Sequence, residues 1–258
     1  MIDTHCHLTS KQLIGDVERV IQSARDAGVV AMISIATGSN DSLEAQKLAN
    51  QFDEVYFSSG IHPLYADEQW NWEHVLSAAK DPKCVAWGEL GLDRHYTDPP
   101  FELQLELLEA QLEHIEGQID DVRPIVVHCR RAVEDLLPVF KQSTISGDRF
   151  VFHCFTETLD EARAILDFGS MISFTGVVTY KNAPQVVEAA EFTPLDRMMV
   201  ETDAPYLTPE PLRTTRPNEP QFVVHTAAFL ANLKGMPADQ FEQQMDVNAR
   251  SFFKLHPI

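Results

Sequence analysis

Residues 2–8 read IDTHCHL. The stretch has the make-up of a short strand, and it carries two imidazoles one residue apart, with an aspartate just before them. Side chains on a strand alternate between faces, so His5 and His7 share one face and Cys6 takes the other. Seven further apolar, β-rich runs follow: 30–36, 55–61, 84–90, 124–128, 149–154, 170–174 and 197–203. Helical spacing fills the intervals. Val17, Val20, Ile21 and Ala24 share a face in 17–27, as Leu103, Leu107, Ala110, Leu112 and Ile115 do in 100–116. Eight strands alternating with helices predict a parallel (β/α)8 TIM barrel, with residues 1–258 as a single domain. The five prolines of 204–220 predict a long loop after the last strand, followed by helices over 220–234 and 237–249.

Composition narrows the possibilities. A chain of 258 residues with 44% hydrophobic content can bury a large core. It has no apolar run long enough to span a bilayer. Asp3 and His5 arrive too early for a secretory signal, so a cytoplasmic location is expected. Cys6, Cys84, Cys129 and Cys154 form no CxxC pair and read as small buried thiols. The formal net charge of −19 excludes non-specific binding along a nucleic-acid backbone, which needs clustered Lys and Arg. It suits a carboxylate-rich pocket for divalent cations. Residues 89–121 hold ten acidic groups against Arg94 alone, expected mostly as a solvated helix face.

In a barrel, one face of each strand looks inward. Imidazoles there need polar partners or a metal. Glu89 lies toward the end of the fourth strand, His128 ends the fifth, His153 nearly ends the sixth and Asp203 ends the eighth. With His5 and His7, all six fall at the carboxyl ends of strands, where barrel active sites are built. Four imidazoles and two carboxylates can hold two divalent cations, with Glu89 as a possible bridge. Zn, Mg, Mn, Co and Ni all suit such donors.

These segments resemble the TatD family of metal-dependent deoxyribonucleases. The likeness runs through DTHCHL (3–8), GIHP (60–63), GELGLD (88–93), PIVVHCR (124–130), HCFTET (153–158), ETDAPYL (201–207) and NEP (218–220). It implies one cation on His5, His7, Glu89 and Asp203, and a second on Glu89, His128 and His153. The chain departs from the family pattern at Arg131, Leu64, HCFTET and the Pro217 between Arg216 and Asn218. Those departures bear on substrate contacts and not on the metal chemistry.

The resemblance implies phosphodiester hydrolysis by a metal-activated water, with Asp203 orienting or deprotonating it and Glu89 at the centre. Arg130 and Arg216 are expected to fix phosphates through forked hydrogen bonds. His62 and Asn218 are further candidate substrate contacts, and His95 could overhang the site. His74, His114 and His256 read as surface groups, and His225 as structural. The expected substrate is a nucleic-acid end, DNA by resemblance, trimmed end-wise by a monomer. The alternatives are a small-molecule amide, ester or phosphoester hydrolase, an aminoacyl-tRNA esterase, or a non-catalytic metal-stabilised scaffold.

Overall fold

The computed structural model describes residues 1–118, 121 and 123–255; His256 lies outside them. The eight strands are β1 (Ile2–Cys6), β2 (Ala31–Ser34), β3 (Val55–Ser59), β4 (Cys84–Asp93), β5 (Ile125–Arg130), β6 (Phe150–Phe152), β7 (Met171–Phe174) and β8 (Met198–Val200). They pair in sequence order and all in parallel. The seam between first and last is closed just past β8. Cys6 bridges Ala204, the His7 amide donates to the Ala204 carbonyl (2.7 Å), and the Asp203 amide donates to the His5 carbonyl (2.9 Å). The expected (β/α)8 barrel is therefore the observed one.

Between the strands run α1 (Val17–Asp26), α2 (Ser39–Ala49), α3 (Trp72–Ala78), α4 (Phe101–Glu116), α5 (Val133–Gln142), α6 (Leu159–Phe168) and α7 (Pro184–Phe192). After β8 come the long loop, α8 (Val223–Leu233) and α9 (Ala238–Phe253). α9 outruns its expected end because Ala249 and Phe253 pack, with Leu255, against the apolar interior of the barrel. That interior holds Ile2, Ile33, Val85, Val126, Val151, Met171 and Met199. A larger apolar layer fills the space between sheet and helices. No helix among the described residues is long and apolar enough to cross a membrane.

Strict alternation cannot place both Ile2 and the two histidines inside, since Ile2 shares a phase with Cys6. A bulge resolves this. Asp3 pairs Met32 and Cys6 pairs Ser34, so three steps on β1 face two on β2 and the inward phase switches. β4 does the same: Trp87 pairs Ile125 and Leu90 pairs Val127. Trp87, Leu90 and Leu92 all join the outer layer, leaving Glu89 to turn inward. β5 and β6 need no such device, because Val126 and His128, and likewise Val151 and His153, are two apart.

Several boundaries differ from expectation. β4 runs on to Asp93, which puts Glu89 in its middle. β5 runs to Arg130, so that side chain sits on a strand end rather than on a loop. β6 and β8 are short, so His153 follows β6 directly and Asp203 stands three residues beyond β8. Asp203 has φ 54, a left-handed conformation that Asp tolerates better than most residues. The acidic run is the solvated face of α4 where Glu102, Glu106, Glu109 and Glu113 are exposed, while Glu89 and Asp93 are buried.

The glycines of GELGLD make the close approach of β4 to β5 possible. A Cβ on Gly88 (φ +119) would lie 2.5 Å from the Val126 carbonyl oxygen, and one on Gly91 (φ +149) 1.9 Å from that of His128. Both positions combine a conformation strained for other residues with no room for a methyl group. Gly91→Ala is accordingly expected to cost ~2–4 kcal/mol. Urea unfolding of the variant measures it, and an unshifted midpoint would mean that the strands part freely at this point.

Candidate metal centre

The inward-facing donors converge. His5 Nε2 and His7 Nε2 are 3.2 Å apart, and Asp203 Oδ1 lies 3.6 Å from the first and 3.2 Å from the second. Glu89 Oε2 is 3.5 Å from His5 Nε2. On its other oxygen, Glu89 Oε1 meets His153 Nε2 at 2.7 Å, His128 Nδ1 at 2.8 Å and His62 Nε2 at 3.4 Å. His62 Nε2 and His128 Nδ1 are 3.0 Å apart. Three sets of donors lie close enough to share an ion: His5, His7 and Asp203; His5, Glu89 and His153; His62, Glu89 and His128.

These spacings fit a cation. Ligands about 2.0–2.1 Å from a metal in tetrahedral or octahedral array stand roughly 3.0–3.4 Å from one another. Most of the contacts above fall in or near that range, and the imidazole–carboxylate donor set suits Zn and its neighbours. The far nitrogens of His7 and His128 are hydrogen-bonded, as ligand histidines require, and that of His153 has a carboxylate beside it. His5 Nδ1 is buried without a partner among the described residues. His7 Nδ1 is 3.0 Å from the Ile35 carbonyl, His128 Nε2 is 3.0 Å from Asp93 Oδ2, and His153 Nδ1 is 3.4 Å from Glu201 Oε1.

Asp93 and Glu201 are the functional residues missing from the sequence expectations. Both lie in quoted motifs, GELGLD and ETDAPYL. The signal for them was chemical: a histidine that presents one nitrogen to a metal needs an acceptor for the other. Asp93 also caps its own loop, accepting from the His95 and Tyr96 amides at 2.7 and 3.0 Å. Two buried glutamines of α4 steady the surroundings. Gln111 exchanges two hydrogen bonds with the Ile61 backbone beside His62, and Gln104 accepts from the Asp93 amide.

Asp3, beside the histidines in sequence, is no part of this cluster. It ties the barrel seam by accepting from the Thr202 hydroxyl (2.6 Å) and amide (2.9 Å).

Electrostatics follow from a fully buried carboxylate among histidines. Burial pushes the Glu89 carboxyl up, but His153, His62 and His128 hold it well below its usual range. Burial raises Asp203 as well, and the hydrogen bond and charge of His7 bring it down. His7 loses basicity to burial and regains more from Asp203 and Glu89, ending at about 9. His153 likewise rises well above its usual value, despite burial, through Glu89 and Glu201. His5 falls and His62 falls to about 4, each chiefly by burial. In the His5–His7 and His62–His128 pairs one ring is thus made more basic and its neighbour less so.

A cleft of about 1400 Å³ opens above the cluster, reaching all six expected donors except His5 beneath them. Arg130, Arg131 and His95 line it. Among the described residues neither Arg130 nor Arg131 makes an ion pair, whereas Arg19, Arg25, Arg94 and Arg123 are paired with carboxylates.

The structure brings His62 in among the donors, closer to Glu89 than a group expected only to touch substrate. It places Arg216 and Asn218 elsewhere. The Arg216 guanidinium donates to Thr208 Oγ1 (3.0 Å) and the Thr215 carbonyl (2.8 Å), bracing its own loop. Asn218 is buried, donates to the Thr202 carbonyl (3.0 Å) and to that of Tyr206, and accepts from the Glu219 amide. Neither lines the cleft, and the hydrogen bonds of both brace the 204–220 loop. His74 bonds Asn40, and His114 packs on Trp72 rather than lying free on the surface. Cys6, Cys84 and Cys129 are buried as expected, while Cys154 is only half-buried at the cleft wall.

A closed eight-stranded barrel with imidazole and carboxylate donors under a cleft at its carboxyl end suits a metal-dependent hydrolase. The profile of the TatD-related DNase family matches residues 2–254, and the chain belongs to that family. It is 35% identical over 258 residues to the uncharacterized metal-dependent hydrolase YcfH of Escherichia coli K12, covering 99% of this chain and 96% of that one. The similarity to the 3'-5' ssDNA/RNA exonuclease TatD of Pantoea vagans is also 35%, over 263 residues, covering 99% and 100%. Among solved structures, YJJV, a TatD homologue from E. coli K12, superposes with a TM-score of 0.91 at 30% identity, covering 99% and 98%.

Protonated histidines must shed their protons to bind a cation. His7, held at about 9, is charged at pH 7, so metal uptake is expected to release protons and tighten as pH rises toward 9. Calorimetric titration with Zn²⁺ or Mn²⁺ in two buffers of different ionisation enthalpy checks this. Identical heats in both would show uptake without proton release, contrary to a charged His7.

Proposed function

We propose that the protein hydrolyses phosphodiester bonds at the ends of single-stranded nucleic acid, using two divalent cations. The observation that carries the reading is Glu89, one buried carboxylate shared between two sets of donors at the floor of an open cleft. His5, His7, Asp203 and Glu89 would hold one cation, and Glu89, His128 and His153 the second, with His62 alongside. Bound there, such cations polarise phosphate oxygens and lower the pKa of a water toward neutrality.

The chain's own groups do the rest. Asp203 stays ionised at working pH, and its carboxylate stands at the cleft where it can orient the attacking water and take up its proton. Glu89 fixes the spacing of the two donor sets. Arg130, free of any carboxylate in the described structure, is placed to hold non-bridging phosphate oxygens by forked hydrogen bonds.

The cleft exceeds the roughly 300–1,000 Å³ of ordinary small-molecule sites, which favours a polymer end over a compact metabolite. A relative named as a 3'-5' exonuclease acting on ssDNA and RNA supports the same choice. A structural metal site would be closed by its ligands, whereas these donors face open space. With a net charge of −19, the surface cannot follow a long row of phosphates, so binding is local and cleavage runs from an end.

Asp203→Asn keeps the shape and loses the charge, so turnover is expected to fall roughly 10²-fold or more while KM changes little. Equal turnover at saturating substrate would remove Asp203 from the chemistry.

For the mode of attack, linear and circular single-stranded DNA are compared after metal reconstitution, at two salt concentrations. The linear strand should yield a ladder from one end, with a salt slope corresponding to about one to three phosphates. Rapid cutting of the circle, or a thousandfold loss of affinity over a modest salt rise, would refute end-wise action. Cleavage of neither strand would refute the nuclease reading itself.

A further inference from the structure

Seven large apolar or aromatic side chains stand strongly exposed among the described residues: Ile14, Val30, Tyr65, Tyr96, Phe192, Tyr206 and Val247. Single exposed hydrophobes need no explanation. Their distribution does. All three tyrosines line the cleft over the metal centre, and none of the other four does. Tyr65, Tyr96 and Tyr206 are 40%, 49% and 52% exposed, and they come from three separate strand ends, after β3, β4 and β8.

Two of the rings stand beside different histidines of the donor cluster. The Tyr206 ring centroid is 6.3 Å from that of His7, and the Tyr65 centroid is 6.2 Å from that of His62. The third stands by the free guanidinium, with Arg130 Cζ 5.2 Å from the Tyr96 ring centroid. A nucleotide whose phosphate is held by Arg130 would have Tyr96 within reach of its base. The net charge of −19 limits what phosphates beyond those at the metals and Arg130 can add, so the bases are the further handle on a polynucleotide.

We propose that Tyr65, Tyr96 and Tyr206 form a stacking rim that takes unpaired bases beside the scissile phosphate, making the site selective for single strands. The proposal rests on the nuclease reading above and adds what holds the strand. Stacking on an aromatic ring is tolerant of sequence, because every base offers a π-face. It is intolerant of pairing, since a base in a duplex already stacks on its neighbours. Recognition should thus depend on the presence of a base and on its being unpaired, and hardly on which base it is.

The test uses initial rates of the full-length, manganese-loaded enzyme on two short single strands of equal length, one of thymidines and one abasic. For the unaltered enzyme, KM is expected to be at least about tenfold lower for the strand with bases. Tyr96→Leu and Tyr206→Leu should each raise KM for that strand by roughly 5- to 150-fold, the range for losing one stacked base, with a smaller effect on kcat. Tyr96→Phe and Tyr206→Phe keep the ring and should retain the low KM. Phe192→Leu, an exposed ring outside the cleft, should leave the preference for bases unchanged. Equal KM for the two strands in the unaltered enzyme, or an unchanged KM in both leucine variants, overturns the stacking rim while leaving the nuclease reading intact. Failure to cleave either strand overturns both.

Discussion

A carboxylate buried in a protein interior must be surrounded by positive charge or hydrogen-bond donors, because desolvation of an unpaired charge would cost several kcal/mol. Glu89 lives under that constraint. It is 1% exposed and meets imidazole nitrogens from β1, the end of β3, β5 and the end of β6. The histidines are therefore not a list of ligands with an acid nearby. They are what allows the acid to be there, and it in turn raises the basicity of His7, His128 and His153. The bulges in β1 and β4, the crowded glycines of GELGLD and the glutamines of α4 all serve to bring these groups to one point.

The cluster is supported from behind as well. Asp93 and Glu201 stand at the far sides of His128 and His153, and the Ile35 carbonyl stands behind His7. Such partners fix which nitrogen faces the centre and how the ring is turned. Glu201 also accepts from the Cys154 amide (2.6 Å), so the carboxylate that steadies a histidine steadies the backbone beside it. A change at either acid would disturb the site without touching any of its inward donors.

The fold was legible because apolar runs of strand length alternated with amphipathic helices, and the six inward donors were legible because all fell at one end of those runs. What escaped the sequence were consequences of backbone irregularity and of packing. The bulges in β1 and β4 break the two-residue period, so alternation alone explains neither Ile2 nor Glu89 facing inward. β6 and β8 end earlier than their composition implies, because strand-like residues continue past the last ladder bond. Arg216 and Asn218 looked like substrate contacts since a charged or amide group near an active-site loop reads the same whether it faces outward or back into the loop. Their hydrogen bonds to Thr215 and Thr202 distinguish the two, and those depend on a loop path that no local pattern encodes.

The seam between the first and last strands gives the two donor sets different histories. Glu89, His128 and His153, with His62 alongside, come from the consecutive strands β3 to β6 or their ends, and they can meet as soon as those four strands are side by side. His5 and His7 must wait for Asp203, nearly two hundred residues later, and for the Cys6–Ala204 bridge that closes the ring. A chain emerging from the ribosome can assemble one half of the centre early and the other only at the end. Completion of the two-part centre is thus a report that the barrel has closed, and an unfinished chain, however well folded so far, lacks the pair of sites on which the proposed chemistry depends.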